Sequence, residues 1–148
     1  MTMGADGSPG LHPQLAADCH VLGRIDGHTL LLQRNAALPW FVLVPPGSAV
    51  DVALDLHELP AAVRASLLTA AERLAGFVKR HHACDKINVA AIGNVVPQFH
   101  LHVVGRRRDD ACWPLPVWGH LAPGGSWRDA ELAALTAALH AAGCLDRD

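Results

Sequence analysis

The segment Val96–Arg106 reads VPQFHLHVVGR and combines residues that favour β-strands with two histidines two positions apart. Side chains alternate between the two faces of a strand. Gln98, His100 and His102 are therefore predicted to share one face, with about 6.6 Å of strand rise between neighbours. We predict that this polar face meets a ligand, while the opposite face packs on a core. The residues of that opposite face are all apolar, namely Phe99, Leu101 and Val103.

The composition indicates an ordinary globular protein of one domain. The chain has 148 residues, of which 51% are hydrophobic and 18% are charged, and its formal net charge is −2. Residues 1–10 are expected to be disordered, which leaves residues 11–148 as the single domain. The near-neutral charge gives no reason to expect nucleic acid as a partner. Because we find neither a long apolar run nor a signal peptide, we expect a cytoplasmic protein that does not bind membranes.

The cysteines do not suggest a disulfide framework, and we expect them to be reduced and mostly buried. They are scattered and form no C-x-x-C pair: Cys19, Cys84, Cys112 and Cys144. The cluster of His81, His82 and Cys84 raises zinc as an alternative. It directly follows a predicted helix, however, and cationic side chains near a helix C-terminus are the commoner explanation. We therefore expect no protein-bound metal.

The order of predicted elements is β-β-β-α-β-β followed by a C-terminal helix. Asp26-Gly27 predicts a tight hairpin between the first two strands, and Pro45-Pro46-Gly47 closes the third. The fold class is therefore α+β, with a mainly antiparallel five-stranded sheet, one long helix packed on it and a C-terminal helix. The predicted strands cover residues 20–25, 28–34, 39–46, 86–93 and 99–106, and the long helix covers residues 59–82.

Two segments after the last strand carry further predictions. The run Arg106–Asp110 has three arginines and two aspartates, which predicts solvated and partly self-paired charge. Residues 113–126 are too rich in proline and glycine for regular structure, although their two tryptophans suggest that the segment packs down. Ser126 is expected to cap the final helix, with Asp129 completing an approximate capping box and Gly143 ending the helix.

The two histidines of the strand have three interpretations. They could be structural residues on a half-exposed face, or they could bind a metal, since histidines on one face are common ligands. The third interpretation is nucleophilic catalysis, because a neutral imidazole with a pKa near ~6.5 is a competent nucleophile at physiological pH. The residues of the strand alone do not decide among these.

Residues 87–106, INVAAIGNVVPQFHLHVVGR, resemble the signature of the histidine triad (HIT) family, and in particular its diadenosine polyphosphate hydrolases. In that signature, three histidines alternate with hydrophobic residues after a turn that contains Gly-Gln and a small hydroxyl residue. Gly93 and Asn94 fall on the Gly-Gln pair. The resemblance extends over roughly residues 21–108. The three histidine positions are occupied here by Gln98, His100 and His102.

The resemblance implies a function and a site. Family members act at the α-phosphate of nucleotides: the middle histidine, here His100, attacks phosphorus and forms a nucleotidyl-histidine that water resolves. A backbone carbonyl would hold its other ring nitrogen, and His102 would donate to a phosphate or leaving-group oxygen. The implied substrate-binding residues are amides: Asn35 on the ribose, Asn88 and Asn94 on the phosphates, and Gln98 beside the nucleophile.

The resemblance also implies partners, and two departures qualify the substrate. The implied substrates are dinucleoside polyphosphates or nucleoside phosphoramidates, with Mg²⁺ at most accompanying the substrate and no tightly bound cofactor, and the implied assembly is a homodimer. Gln98 replaces the first histidine, and Val95 stands where many members carry Ser or Thr. The alternative function, which the missing hydroxyl favours, is a nucleotide-binding sensor with little turnover.

Overall fold

The computed structural model describes residues 10–147, so the predicted disorder of residues 1–10 lies outside the described part except at Gly10. Within this range no helix has the length and hydropathy needed to cross a bilayer. A short 3-10 turn precedes the long helix at Leu56–Glu58. The elements are α1 (Pro13–Asp18), β1 (Cys19–Ile25), β2 (His28–Gln33), β3 (Trp40–Val44), α2 (Ala61–His81), β4 (Lys86–Ala90), β5 (Leu101–Arg106) and α3 (Asp129–Ala141).

The five strands form one sheet in the order β1-β2-β3-β5-β4, and every neighbouring pair is antiparallel. The predicted α+β fold class and the order of elements are thus confirmed. The β1–β2 hairpin turns at Asp26-Gly27, where both residues have positive φ. Strands β3 and β4 flank β5, so the histidine-bearing strand lies inside the sheet and both of its edges are hydrogen-bonded.

The main core lies between one face of the sheet and helix α2. The apolar face of β5 is buried there as predicted, and Leu101 and Val103 are 3% and 0% exposed. Helix α2 contributes a stripe at helical spacing that includes Leu67, Leu74 and Val78, because these side chains recur on one side of the helix. Helix α3 adds Leu135 and Leu139 to the same core.

The opposite face of the sheet carries two smaller apolar clusters with the histidines between them. One cluster joins helix α1 to the middle of the sheet and includes Leu11, Leu15 and Val42. The other joins β5 to residues 112–121 and includes Val104 and Val117. The predicted packing of the irregular segment is therefore confirmed, since it covers this end of the polar face.

The start of helix α3 differs from the prediction. Ser126 does not cap the helix, because it forms an antiparallel bridge with Asn35 that keeps the chain extended. The side chain of Trp127 extends this contact by donating from Nε1 to the carbonyl of Gln33 at 2.9 Å. The helix begins three residues later, and Glu131 rather than Asp129 accepts a hydrogen bond from the backbone N–H of Arg128.

Candidate active site

Strand β5 and the residue just before it bring the two histidines together on a buried polar face. His100 and His102 are each 6% exposed, and their ring centroids are 4.8 Å apart in an edge-to-face arrangement. Gln98, just before the strand, is 2% exposed. Polar side chains cost free energy when they are buried without hydrogen bonds. The hydrogen-bonding partners of each side chain therefore indicate which polar atoms are already used within the protein and which are left for a ligand.

The ring of His100 is oriented by the backbone. Its Nδ1 lies 2.7 Å from the carbonyl oxygen of Gln98, which can only accept, so Nδ1 carries the proton and Nε2 carries the lone pair. Burial lowers the pKa of His100, the hydrogen bond to Gln98 raises it in part, and the charge of His12 lowers it further. A ring in this state is neutral at pH 7 and presents an unprotonated nitrogen to an electrophile.

His102 is held in the opposite tautomer. The indole Nε1–H of Trp40 donates to Nδ1 of His102 at 3.0 Å, so the ring proton resides on Nε2. Burial, with a smaller contribution from the charge of His100, lowers the pKa of His102 to about 3. The two neighbouring rings therefore differ in function: His100 offers a lone pair at Nε2, and His102 offers an N–H donor at Nε2.

Gln98 uses its side chain to fasten two other segments. Its Oε1 accepts from the backbone N–H of His12 at 2.8 Å, and its Nε2 donates to the carbonyl oxygens of Gly10 and Ser48 at 2.6 and 3.1 Å. These partners occupy the polar atoms of the amide. The prediction that Gln98 contacts substrate stays a prediction, and the structure adds a positioning role that the sequence pattern did not indicate.

The three predicted asparagines lie in different surroundings. Asn88 is opposite Val104 on the histidine face, and its Oδ1 accepts from Arg106 at 3.1 Å, which leaves its Nδ2 for another acceptor. Asn94 is exposed in the turn before β5. Asn35 donates to the carbonyl of Ala122 and accepts from the N–H of Ala37. Substrate binding by these residues stays a prediction, and for Asn35 both polar atoms already serve the loop.

Arg106 contradicts the prediction that the basic run is solvated. It is 2% exposed, and its guanidinium binds both carboxylate oxygens of Asp110 at 2.8 and 3.1 Å. Burial would raise the pKa of Asp110, but its hydrogen bonds to Arg106 and to backbone N–H groups hold it at about 2. Only the next pair, Arg107 and Asp109, is exposed as expected. Arg106 is thus the last residue of a polar row that begins at Gln98 and continues through His100 and His102. Its guanidinium also orients the side chain of Asn88.

Two tryptophans frame the site in a way that the sequence did not reveal. Trp118, from the irregular segment, packs edge-on against His102 with 5.1 Å between ring centroids, and against Trp40 at 5.6 Å. Trp40 lies 62 positions before His102, so its hydrogen bond to that ring is set by the pairing of β3 with β5. From the alternation of β3 alone, Trp40 could have been predicted on the histidine face. Its hydrogen bond to His102 could not, because that depends on how β3 pairs with β5.

The possible zinc ligands near the end of α2 do not converge. His82 packs between Phe41 and Trp127, with ring centroids 6.1 and 6.5 Å away, while the thiol of Cys84 is directed to the carbonyl of Val78 at 3.7 Å. Across residues 10–147, no group of three or more histidine, cysteine or acidic side chains is arranged to hold a metal ion. The four cysteines are free and buried, as predicted.

Comparison with known proteins agrees with this arrangement. The HIT domain family model matches residues 14–109, more than half of the chain. A histidine triad protein from Bradyrhizobium japonicum is 35% identical, with a TM-score of 0.80 over 89% of this chain and 96% of its own. One from Marinobacter aquaeolei is 37% identical, with a TM-score of 0.79 over 89% and 93%. One from Sinorhizobium meliloti is 30% identical, with a TM-score of 0.80 over 88% and 94%.

No curated protein matches the chain closely enough to count as a relative. The family match and the three structures nevertheless agree on one fold, and the matched segment contains the strand with Gln98, His100 and His102. Proteins with this domain are typically nucleotide-binding hydrolases or transferases. Because the match extends from helix α1 through the whole sheet, the chain belongs to the histidine triad (HIT) family.

Proposed function

We propose that the protein hydrolyses the phosphoanhydride bond of a nucleoside or dinucleoside polyphosphate through a nucleotidyl intermediate on His100. The observation that carries the proposal is the 2.7 Å hydrogen bond from Nδ1 of His100 to the carbonyl of Gln98. It fixes the tautomer with a free lone pair at Nε2, and an oriented, neutral imidazole is an activated nucleophile.

The reaction proceeds in two displacements at the α-phosphorus. In the first, Nε2 of His100 forms a bond to phosphorus while the bond to the leaving-group oxygen breaks, and that oxygen keeps the electron pair. The nucleotidylated ring is cationic, and its Nδ1–H remains bonded to the carbonyl of Gln98. In the second, a water oxygen bonds to phosphorus, the N–P bond returns its electron pair to Nε2, and the proton of the water passes to solvent.

His102 favours an anionic leaving group in this scheme. Its ring is neutral, because Trp40 occupies Nδ1 and burial holds the pKa at about 3. A neutral imidazole donates a hydrogen bond from Nε2 to a phosphoryl oxygen, but it is far too weak an acid to protonate a departing amine. A phosphate or nucleotide leaves as an anion and needs no such proton. We therefore propose dinucleoside polyphosphates ahead of phosphoramidates as substrates, with the Nδ2 of Asn88 as a further donor to phosphate.

We also propose that the chemical step needs no protein-bound metal. The polar row from Gln98 to Arg106 supplies imidazoles and amides, and the carboxylate of Asp110 at its end is paired with Arg106. Metal-assisted phosphoryl transfer usually relies on carboxylate ligands. Mg²⁺ would act, if at all, by binding the polyphosphate of the substrate. Stoichiometric metal in the purified protein, whose removal abolishes turnover, would contradict this.

We infer that the active form is a homodimer joined through β4. This strand is an edge of the sheet, and Val89 and the nearby Ile92 are 50% and 42% exposed. Pairing β4 with its copy would cover these side chains and extend the sheet across two subunits. Light scattering at micromolar protein is expected to give twice the monomer mass, and Val89→Lys is expected to give the monomer. A monomeric wild-type protein would refute the dimer.

The function is tested by trapping the intermediate. The protein is mixed with diadenosine polyphosphate labelled at the α-phosphate, quenched, and digested for peptide mapping. We expect acid-labile label on His100 and adenosine monophosphate among the products. Label on His102 would refute the assignment of the nucleophile. Binding of the nucleotide without label or product would favour the sensor, which agrees with the exposed Val95 standing in place of a hydroxyl residue.

A further inference from the structure

The family signature has a histidine where this chain has Gln98, and the structure shows which residue this amide holds. The side-chain oxygen of Gln98 accepts from the backbone N–H of His12 at 2.8 Å, and its backbone carbonyl accepts from Nδ1 of His100 at 2.7 Å. One residue thus links His12 to the proposed nucleophile. The link joins positions 86 residues apart in the sequence, so it is a property of the fold.

The ring of His12 is held in one orientation by a hydrogen bond to the backbone. Its Nδ1 accepts a hydrogen bond from the backbone N–H of Gln14 at 3.0 Å, as the cap of helix α1. An imidazole whose Nδ1 accepts carries its proton on Nε2, so Nε2–H is a donor. The side chain is half-buried, in contrast to His100 and His102. His12 is thus fixed at two points, by its backbone N–H on Gln98 and by its ring Nδ1 on Gln14.

The electrostatics agree with this placement. When His12 is protonated, its charge lowers the pKa of His100, so the two rings lie within electrostatic range of each other. Among residues 10–147, the titratable groups that influence this ring or stack on it are His12 from the N-terminal segment and His102 from β5. No carboxylate contributes to the shift. A phosphate bound at His100 would lie beside His102 and within electrostatic range of His12.

We propose that His12 is the third histidine of this site: its Nε2–H donates to a phosphate oxygen of the substrate, and Gln98 positions it there. The proposal rests on the proposed function, because it assumes a phosphate at His100. It explains how the chain works without a ring at position 98, since the amide brings in an imidazole from the N-terminal segment. His12 then binds substrate directly, whereas Gln98 acts through His12.

His12→Asn is the variant that tests the proposal. Asparagine is among the best helix caps, so the bond from Gln14 is preserved while the imidazole is lost. We expect kcat/KM for a dinucleoside polyphosphate to fall about 10- to 100-fold, as for loss of a hydrogen bond to a charged group. Because one cause that lowers the pKa of His100 is removed, the acidic limb of the pH–rate profile is expected to move to higher pH.

The matched control is His57→Asn, because His57 is exposed in the 3-10 turn away from the polar face. Both variants are first compared with wild type by urea unfolding. Equal midpoints with a loss of kcat/KM and a displaced acidic limb in His12→Asn alone support the proposal. Rates within twofold of wild type, or an unchanged pH profile, overturn it. If His12→Asn unfolds more easily, the displaced limb decides, because a merely structural residue would leave the limb in place.

The outcome for the wild-type protein separates this inference from the proposed function. If wild type neither hydrolyses the nucleotide nor acquires label on His100, the proposed function fails and the role of His12 fails with it. If wild type turns over and His12→Asn equals it, only the role of His12 fails. Isothermal titration with adenosine monophosphate adds a readout independent of turnover, and weaker binding by His12→Asn than by His57→Asn is the supporting result.

Discussion

The two faces of strand β5 and of the residues that lead into it are buried to the same extent but by different means. On one face Phe99, Leu101 and Val103 are at most 4% exposed and are covered by hydrocarbon from α2. On the other face His100 and His102 are 6% exposed, yet each ring has a specific hydrogen-bonding partner. Burial of apolar area stabilises the first face directly. On the second face each hydrogen bond largely offsets the desolvation of a polar group, so its net gain is small.

Within one strand, the apolar face therefore contributes mainly to stability, and the histidine face contributes mainly to the proposed chemistry. Neighbouring positions point to opposite faces, so substitutions at adjacent residues should have unlike consequences. A change on the α2 face should alter folding and leave the reaction intact as long as the protein folds. A change on the histidine face should alter the reaction, or the protonation of the site, with a smaller effect on folding unless it leaves a buried charge without its partner.

The largest expected effect is that of His100→Ala compared with Leu101→Ala. Loss of the nucleophile removes the covalent route, so turnover should fall by several powers of ten while the unfolding midpoint changes little. Leu101→Ala leaves a cavity under α2 and should lower the free energy of unfolding by about 2–5 kcal/mol. Its kcat, measured well below the unfolding temperature, should stay within a few-fold of wild type. A His100→Ala protein with normal turnover would show that the faces are not divided in this way.

The next effect concerns the ion pair at the end of the histidine face. Asp110→Ala leaves the Arg106 guanidinium buried without its counter-charge, which should lower the free energy of unfolding by about 3–5 kcal/mol. Asp109→Ala is the matched control, since its pair with Arg107 is more than half exposed and should contribute only about 0–1 kcal/mol. Urea unfolding measures both. Equal losses would mean that burial does not distinguish the two pairs.

The features that could be predicted from the sequence are those set by local periodicity. Alternation along residues 98–106 gave the two faces of β5, and helical spacing gave α2, because each pattern depends on neighbours within a few positions. The adjacent Arg106–Asp110 run shows the limit. Its local pattern fits a solvated turn, whereas contacts with residues outside the run, Asn88, Cys112 and Trp113, surround Arg106 in the fold.

The pairing of His100 and His102 on one face was predicted from the sequence, but the residues that support the two rings were not. The two histidines were evident from their spacing, whereas Trp40 bonds to His102 from 62 positions away and His12 bonds to the side chain of Gln98 from 86 positions away. Nothing local marks either residue as a partner of a histidine. Ser126 was wrongly expected to cap α3 for the same reason, because its bridge to Asn35 joins segments far apart in the chain. Long-range pairing overrides local preference at all three positions.

Buried neutral histidines should make the protein sensitive to acid. Burial, with a smaller contribution from His81, lowers the pKa of His82 to about 4, and His102 is lowered to about 3. The unfolded chain takes up these protons near pH 6.5 and the folded chain does not. The free energy of unfolding should therefore fall as pH drops from about 6.5 to 4, by up to ~1.4 kcal/mol per pH unit for each histidine.

His82→Phe tests the contribution of the α2 side to this sensitivity. The ring of His82 already lies among Phe41, His81 and Trp127, and its Nε2 is buried without a partner. Phenylalanine should fit there and remove one titrating group, so the slope of unfolding free energy against pH should decrease by about one proton. Urea midpoints between pH 4 and 7 provide the slope. An unchanged slope would show that His82 does not take up its proton on unfolding.

A small effect on stability is expected for Trp40→Phe, the variant that bears most directly on the leaving group. The substitution removes the N–H that holds Nδ1 of His102 and should cost about 0.5–1.5 kcal/mol. Without that donor, Nδ1 is easier to protonate, although burial still lowers the pKa of His102, and the imidazolium that forms can protonate a departing amine from Nε2. The ratio of phosphoramidate to phosphoanhydride hydrolysis should therefore rise. Trp118→Phe is the control, since that ring packs on His102 with the same loss of bulk and donates no hydrogen bond to it within residues 10–147. If both variants change the ratio equally, packing around His102 and not its tautomer would set the preference for an anionic leaving group.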